Sequence, residues 1–340
     1  MEIIIPAAGL STRFPNMRPK YTLVDYTGNM MVENSFAPYL GKYQITVGVL
    51  ADNEKNYGVA EYFEKKYQDR VRVVVLDNKT DGPADTVYQI IKKSGINLQQ
   101  EILIRDCDSF FEHDHQIGNY VCVNSLVEHE TLKNPAAKSY VISNNQGIIV
   151  NIIEKQIISD KFCVGGYKFQ SAEMYMSAYE GVVNGSQEIF VSHVIEKCLA
   201  IGEIFKEVPV SNYVDVGTAD DWYEFNDKNV VFCDIDGTIV KAQHRKDFEK
   251  TPEPLHHNIQ RVKELAQHGG MVVFTTARPD SARDTVHAML VGLGFENFKL
   301  ITGLPNTKRI LINDYNAANP YPRAIAVNVK RDSDTLSELI

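Results

Sequence analysis

Acidic residues set one position apart occur twice in this chain where an apolar run ends. In VFCDIDGTIV, residues 231–240, the run stops at Asp234 and Asp236, and Gly237 and Thr238 turn the chain. A carboxylate at the carboxyl end of a parallel strand stands where open α/β sheets bind ligands. One acid of such a pair can attack a phosphorus atom while the other moves a proton. In EILIRDCDSFF, residues 101–111, the pair is Asp106 and Asp108. The opening run EIIIPAAG leads into LSTRFPNMRPKYTL. A strand followed by small residues lets backbone N–H groups approach phosphate oxygens, and Ala7, Ala8 and Gly9 leave that approach open. Arg13 adds a planar fork suited to a polyphosphate, and Lys20 a mobile point charge.

The elements that must carry these residues are short. EIIIPA, QITVGVL, VRVVVLD, EILIRD, SYVIS, VVFCDID, MVVFTTA and RILIND read as strands alternating with helical patterns. That alternation predicts an α/β fold built from parallel βα units. A polar stretch, DDWYEFNDKN at 220–229, precedes a fresh strand, which places a domain junction near residue 227. The expected domains are therefore 1–226 and 229–340, and 340 residues suffice for two cores.

Composition narrows the partners. A net charge of −9 argues against a nucleic-acid groove or an anionic membrane as the main partner, but not against small anions held by local cations. Five cysteines without a CxxC pair predict neither a zinc site nor a disulfide framework, and so a reducing, cytoplasmic setting. The start MEIIIPAAG lacks the basic region of a signal peptide, and no run approaches the ~20 apolar residues of a membrane span. The oligomeric state is left open, a homo-oligomer included.

With AGLSTRF and RPKYTL, the first 226 residues resemble the sugar-nucleotide pyrophosphorylases, nucleotidyltransferases that join a sugar phosphate to an NTP. Further similar segments follow in order: TDGPADT (80–86), EILIRDCDSFF, IIEKQ (152–156), VGGYKF (164–169) and YVDVGTADDW (213–222). The resemblance implies a Rossmann-like mixed sheet. It implies a loop round the triphosphate at Ala8 and Gly9, with Arg13 and Lys20 on the phosphates, and base reading at Gly82 and Ala84. An acceptor pocket at Glu154, Lys155 and Gly166 and a magnesium ion on Asp108 and Asp215 complete that set. The nucleotide, CTP, UTP, dTTP or GTP, stays open, as does the small phosphorylated acceptor.

The order DIDGT, MVVFTTAR (271–278) and RILIND (309–314) resembles the haloacid dehalogenase superfamily of phosphatases, with a small Rossmannoid parallel sheet. It implies Asp234 as nucleophile, Asp236 as proton carrier, and Thr276 or Thr275 on the phosphoryl group. It also implies Lys308, six residues before Asp314 and preferred here over Lys299, as the cation, with a second magnesium site built from Asp234, Asp236 and Asp314. Only 40 residues separate Asp236 from Thr276 and 32 separate Thr276 from Lys308, too few for a separate cap domain, so an open site is expected.

Blander readings apply elsewhere. EHDH (112–115) reads as a polar loop rather than a metal site, and His256–His257 as the surface of a helix start. The aromatic residues of 162–190 read as core. Two further readings compete: a DxD glycosyltransferase in the first domain, or a non-catalytic docking module in the second.

Overall fold

The computed structural model describes residues 1–128, 132–182, 188–244, 251–267, 270–313 and 324–340. They form two compact units, Met1–Asn226 and Asp227–Ile340.

In the first unit, β1 (Glu2–Pro6) is followed by α1 (Met31–Phe36), β2 (Gln44–Leu50), α2 (Ala51–Tyr57), α3 (Val59–Tyr67), β3 (Val71–Leu76) and α4 (Pro83–Ser94). Then come β4 (Ile102–Arg105), β5 (Ser109–Glu112), β6 (Asn119–Ser125), β7 (Tyr140–Ser143), β8 (Ile149–Ile153) and β9 (Lys161–Phe169). The unit closes with α5 (Ala172–Glu180), α6 (Val191–Ala200), β10 (Phe205–Pro209), β11 (Ser211–Asp215) and α7 (Ala219–Asn226). The main sheet runs β10-β6-β9-β4-β1-β2-β3, with β7 and β8 attached through β9. β1, β2, β3 and β4 are mutually parallel where they pair, whereas β9 is antiparallel to both β4 and β6. The sheet is therefore mixed.

Its centre shows why such apolar runs become strands. Ile3, Ile4 and Ile5 are all fully buried, yet successive side chains face opposite ways. Ile4 packs with α4, α5 and α6, while Ile3 and Ile5 pack with α1 and α3. A strand covered on both faces has no room for polar alternation, which explains the unbroken isoleucines. α4 lies so close to β2 that a Cβ at Gly48 would stand 2.4 Å from Ile90 Cδ1. α4 itself starts after Gly82, whose φ of +117° suits only glycine, with Pro83 in its first turn.

In the second unit, β12 (Val230–Asp234), α8 (His256–Leu265), β13 (Met271–Thr275), α9 (Arg283–Gly292) and β14 (Phe298–Ile301) form a parallel sheet in the order β12-β13-β14 with two helices. Phe274 at its centre meets Phe295 and Phe298 edge-on. The third strand is thus FKLI, not the expected RILIND. Residues 309–313 form no strand, and Ile310, Leu311 and Ile312 are exposed. A strand needs a ladder partner; β14 has one in β13 and turns Phe298 onto Phe274, while 309–313 pairs with no strand among the described residues. Within 240–270 the described helix is α8, which buries Ile259 and Val262 in this unit's core. Residues 245–250 and 268–269 lie outside the described residues.

Candidate active sites

A cleft of about 780 Å³ opens at the carboxyl ends of β1, β3 and β4. Its floor comes from the loop after β1. There Ser11 adopts φ +53°, its carbonyl accepts from Phe14 N (2.8 Å), and its hydroxyl accepts from Lys20 N (3.0 Å). This folds residues 11–20 back on themselves and brings Arg13 and Lys20 to one acid. Lys20 Nζ donates to Asp108 Oδ2 at 2.5 Å, and Arg13 Nη2 stands 3.6 Å from the same oxygen. Asp108 reaches them because β4 ends at Arg105 and the chain turns through Asp106–Cys107–Asp108 into β5.

Asp215 arrives from elsewhere, at the end of β11, which pairs antiparallel with β5. The two carboxylates meet round Gly217. A Cβ on that glycine would stand 3.0 Å from Asp215 Oδ1, 3.3 Å from Asp108 Oδ2 and 3.3 Å from Arg13 Nη1. The space a side chain would fill is thus lined by two carboxylate oxygens. No group of three or more His, Cys, Asp or Glu side chains among the described residues could hold a metal ion. Magnesium suits two carboxylates all the same, because it keeps waters and takes its other ligands from phosphates. The residues present fit that ion.

The electrostatics follow from burial and neighbours. Burial raises the Asp108 carboxyl, but the Lys20 and Arg13 charges and the Lys20 hydrogen bond outweigh it and hold it below the usual range. Asp106 is pushed up, by burial first and then by the Asp108 charge. Burial pulls Lys20 down, yet the Asp108 charge leaves it above its ordinary value.

Ala8, Gly9, Gly82, Glu154 and Lys155 also line the cleft. Glu154 Oε2 accepts from the hydroxyls of Ser139 and Ser192, the latter at 2.6 Å, and Lys155 Nζ lies 4.0 Å over the Phe190 ring. Two expected residues are placed otherwise. Ala84 is fully buried on α4, and its N–H donates to Ile189 O (3.1 Å). Gly166 faces the core, where a Cβ would strike Phe111 and Cys122; strand alternation gives the cleft Gly165 instead. Sequence reading missed Lys138, Ser139, Phe190 and Ser192. Each is a single polar or aromatic residue beside a strand or helix, with no spacing to mark it. Phe162, Tyr167, Phe169 and Tyr175 are core, as expected, with Tyr167 also at the cleft wall, while the half-buried Phe190 lines the cleft. His113 Nε2 and His115 Nδ1 each lie 2.9 Å from Tyr120 OH.

In the second unit, Asp234 ends β12 exposed, and Gly237 (φ +89°) turns the chain so that its N–H donates to Val240 O (2.7 Å). Asp236 is clamped. Arg278 Nε donates to both its oxygens (3.1 Å each), Arg278 Nη2 to Oδ1 (2.7 Å), and Thr276 Oγ1 to Oδ2 (3.0 Å). Thr276 is fully buried, so its hydroxyl serves Asp236 here; the less buried Thr275 ends β13. Although Asp234 is exposed, neighbouring groups take part of the water from its carboxyl and raise it, the Asp236 charge adds to this, and Arg309 and Arg331 oppose it. Lys308 and Lys299 are both exposed. Asp314 lies outside the described residues.

No helix among the described residues is long and apolar enough to cross a membrane. No family model and no curated protein matches the chain. Solved structures do. It is similar to the nucleoside-diphosphate-sugar pyrophosphorylase from Vibrio cholerae RC9, at 22% identity and TM-score 0.57, over 65% of this chain and 98% of that one. It is similar to the inositol-1-phosphate CTP transferase from T. maritima, at 19% identity and TM-score 0.53, over 65% and 90%. It is also similar to a UDP-glucose pyrophosphorylase complexed with UDP-glucose, at 12% identity and TM-score 0.52, over 66% and 95%. The parallel sheet of the second unit is compatible with the small phosphatase fold, and the first unit has the fold of the nucleotide-sugar pyrophosphorylases.

Proposed function

We propose that the first unit transfers a nucleotidyl group from an NTP to a small phosphorylated acceptor and releases pyrophosphate. The observation that carries this reading is the pair Asp108 and Asp215, brought from separate strands to one space and faced by Arg13 and Lys20. Bound there, magnesium would neutralise the triphosphate and polarise its α-phosphorus. The chain's own residues do the rest. Residues 8–13 and Lys20 hold the β- and γ-phosphates, and Arg13 steadies the charge that develops on the departing pyrophosphate. Glu154, fixed by two serine hydroxyls, orients the acceptor's polar groups, and Lys155 meets its phosphate. The attacking phosphate is already anionic, so no strong base is needed, and positioning supplies most of the acceleration. A pyrophosphate-release screen of CTP, UTP, dTTP and GTP against sugar, polyol, choline-type and amino-acid phosphates tests this. Release with one base and one acceptor class is expected; hydrolysis of a nucleotide sugar, or its transfer without pyrophosphate, would point to a glycosyltransferase instead.

For the second unit we propose phosphomonoester hydrolysis. Asp234 Oδ attacks phosphorus and the ester P–O bond breaks. Asp236 delivers the proton to the leaving alkoxide, and water then cleaves the aspartyl-phosphate. The exposure of Asp234 at the end of β12 supports its role as the attacking group, whereas Asp236 has to leave its ion pair with Arg278 before it can carry a proton. Magnesium-dependent hydrolysis of p-nitrophenyl phosphate, absent in Asp234→Asn, is the expected result, and no hydrolysis by the native chain would make the unit a docking module.

A further inference from the structure

Lys138 is a cation of the cleft that neither reading above uses. It follows the turn Pro135–Ala137 and leads into β7. Its carbonyl accepts from Lys155 N (3.1 Å), and the next residue, Ser139, holds Glu154, so its backbone belongs to the acceptor corner. Its ammonium reaches the other way and donates to Asp215 Oδ2, with the Tyr213 ring 5.9 Å off. The side chain lines the cleft and is 19% exposed.

Each carboxylate facing the space at Gly217 therefore carries a lysine: Lys20 on Asp108 and Lys138 on Asp215. A divalent cation shared by those carboxylates competes with both ammonium groups. Lys20 retains a second task, since its loop also presents Arg13 to phosphates. Lys138, once released, stays tied to the acceptor corner by its backbone and has a flexible four-carbon stem.

We propose that Lys138 is a catalytic lysine that leaves Asp215 on metal binding and carries its charge to the two phosphates being joined. The proposal rests on the nucleotidyl-transfer reading. In that step an acceptor phosphate oxygen forms a bond to the α-phosphorus. The α–β bridging P–O bond breaks, and its electron pair leaves on pyrophosphate. No proton moves. Negative charge crowds the α-phosphoryl oxygens and the incoming phosphate, and an ammonium placed there lowers the barrier.

The native 340-residue chain, Lys138→Met and Lys138→Arg are compared by Mn2+ binding without nucleotide, followed by electron paramagnetic resonance, and by pyrophosphate release with the active substrate pair. Thermal melts check folding. The Met variant is expected to bind Mn2+ roughly three- to tenfold more tightly, because a competing charge is gone. Its turnover is expected to fall on the order of 100-fold, and the Arg variant to recover part of it. Unchanged turnover overturns the catalytic role. Unchanged or weaker Mn2+ binding overturns the exchange, and a loss of turnover that only tracks a lowered melting temperature overturns the catalytic role. If the native chain releases no pyrophosphate while the Met variant still binds Mn2+ more tightly, the nucleotidyl-transfer reading has failed, taking the catalytic role with it and leaving the exchange at Asp215.

Discussion

The space between Asp108 and Asp215 exists because residue 217 has no side chain. Its φ lies outside the left-handed region, so alanine fits the backbone but not the gap. Gly217→Ala is expected to melt like the native chain while its pyrophosphate release falls roughly 10- to 100-fold and needs more magnesium. A second residue sets a pH dependence. Burial, and then the charges of Arg105 and His115, press His113 down to about 4, against an ordinary value of 6.5. Above 6.5 it is neutral in folded and unfolded chain alike. As pH falls from 6.5 towards 4, the unfolded chain takes up the proton first, so the folded state is progressively destabilised over that window. Melting temperatures between pH 7 and 4.5 should drop less steeply in His113→Gln than in the native chain. An equal slope would mean that another group titrates.

At the scale of elements, what could be read from sequence followed burial. The doubly covered strands β1, β2, β3 and β4, and the strands β12 and β13, show as apolar runs, and Gly9, Asp108 and Asp234 follow or end them at the carboxyl side, the edge at which open α/β sheets bind ligands. β5, β6, β8, β9 and β11, each in an antiparallel pair, and β10, which pairs parallel with β6, carry mixed polar residues and show no such run. RILIND shows the opposite error: an apolar run predicts burial in general, but only a ladder partner makes it a strand, and β14 took that place beside β13. Helix starts also hide distant partners. α8 begins without a side-chain cap of its own. Asp334 supplies one from 77 residues away, accepting from His257 N (3.1 Å) and Asn258 N (2.8 Å). Asp334→Ala is expected to lower the second unit's stability by about 1 kcal/mol, read by thermal melting, with little change in the first unit.

Across the whole molecule, the two proposed activities both act on phosphates. This pairing suggests a sequence of reactions: a phosphatase must trim a bisphosphorylated precursor before a transferase activates the monophosphate. Asp234→Asn should then block nucleotidyl transfer that starts from the bisphosphate and leave transfer to supplied monophosphate intact. Equal loss of both would break the proposed division. The candidate sites were legible in sequence to the extent that they use acids at strand ends. Lys138, Ser139 and Ser192 were not legible, because only the folded chain brings residues 138, 192 and 215 to one cleft.

The most direct measurement is pyrophosphate release by the native 340-residue chain, Asp108→Asn and Asp234→Asn, assayed together with the active NTP and acceptor. The account predicts a loss of at least about 100-fold in Asp108→Asn and native release in Asp234→Asn. Native release from Asp108→Asn, or none from the native chain with any of the four NTPs, would contradict it.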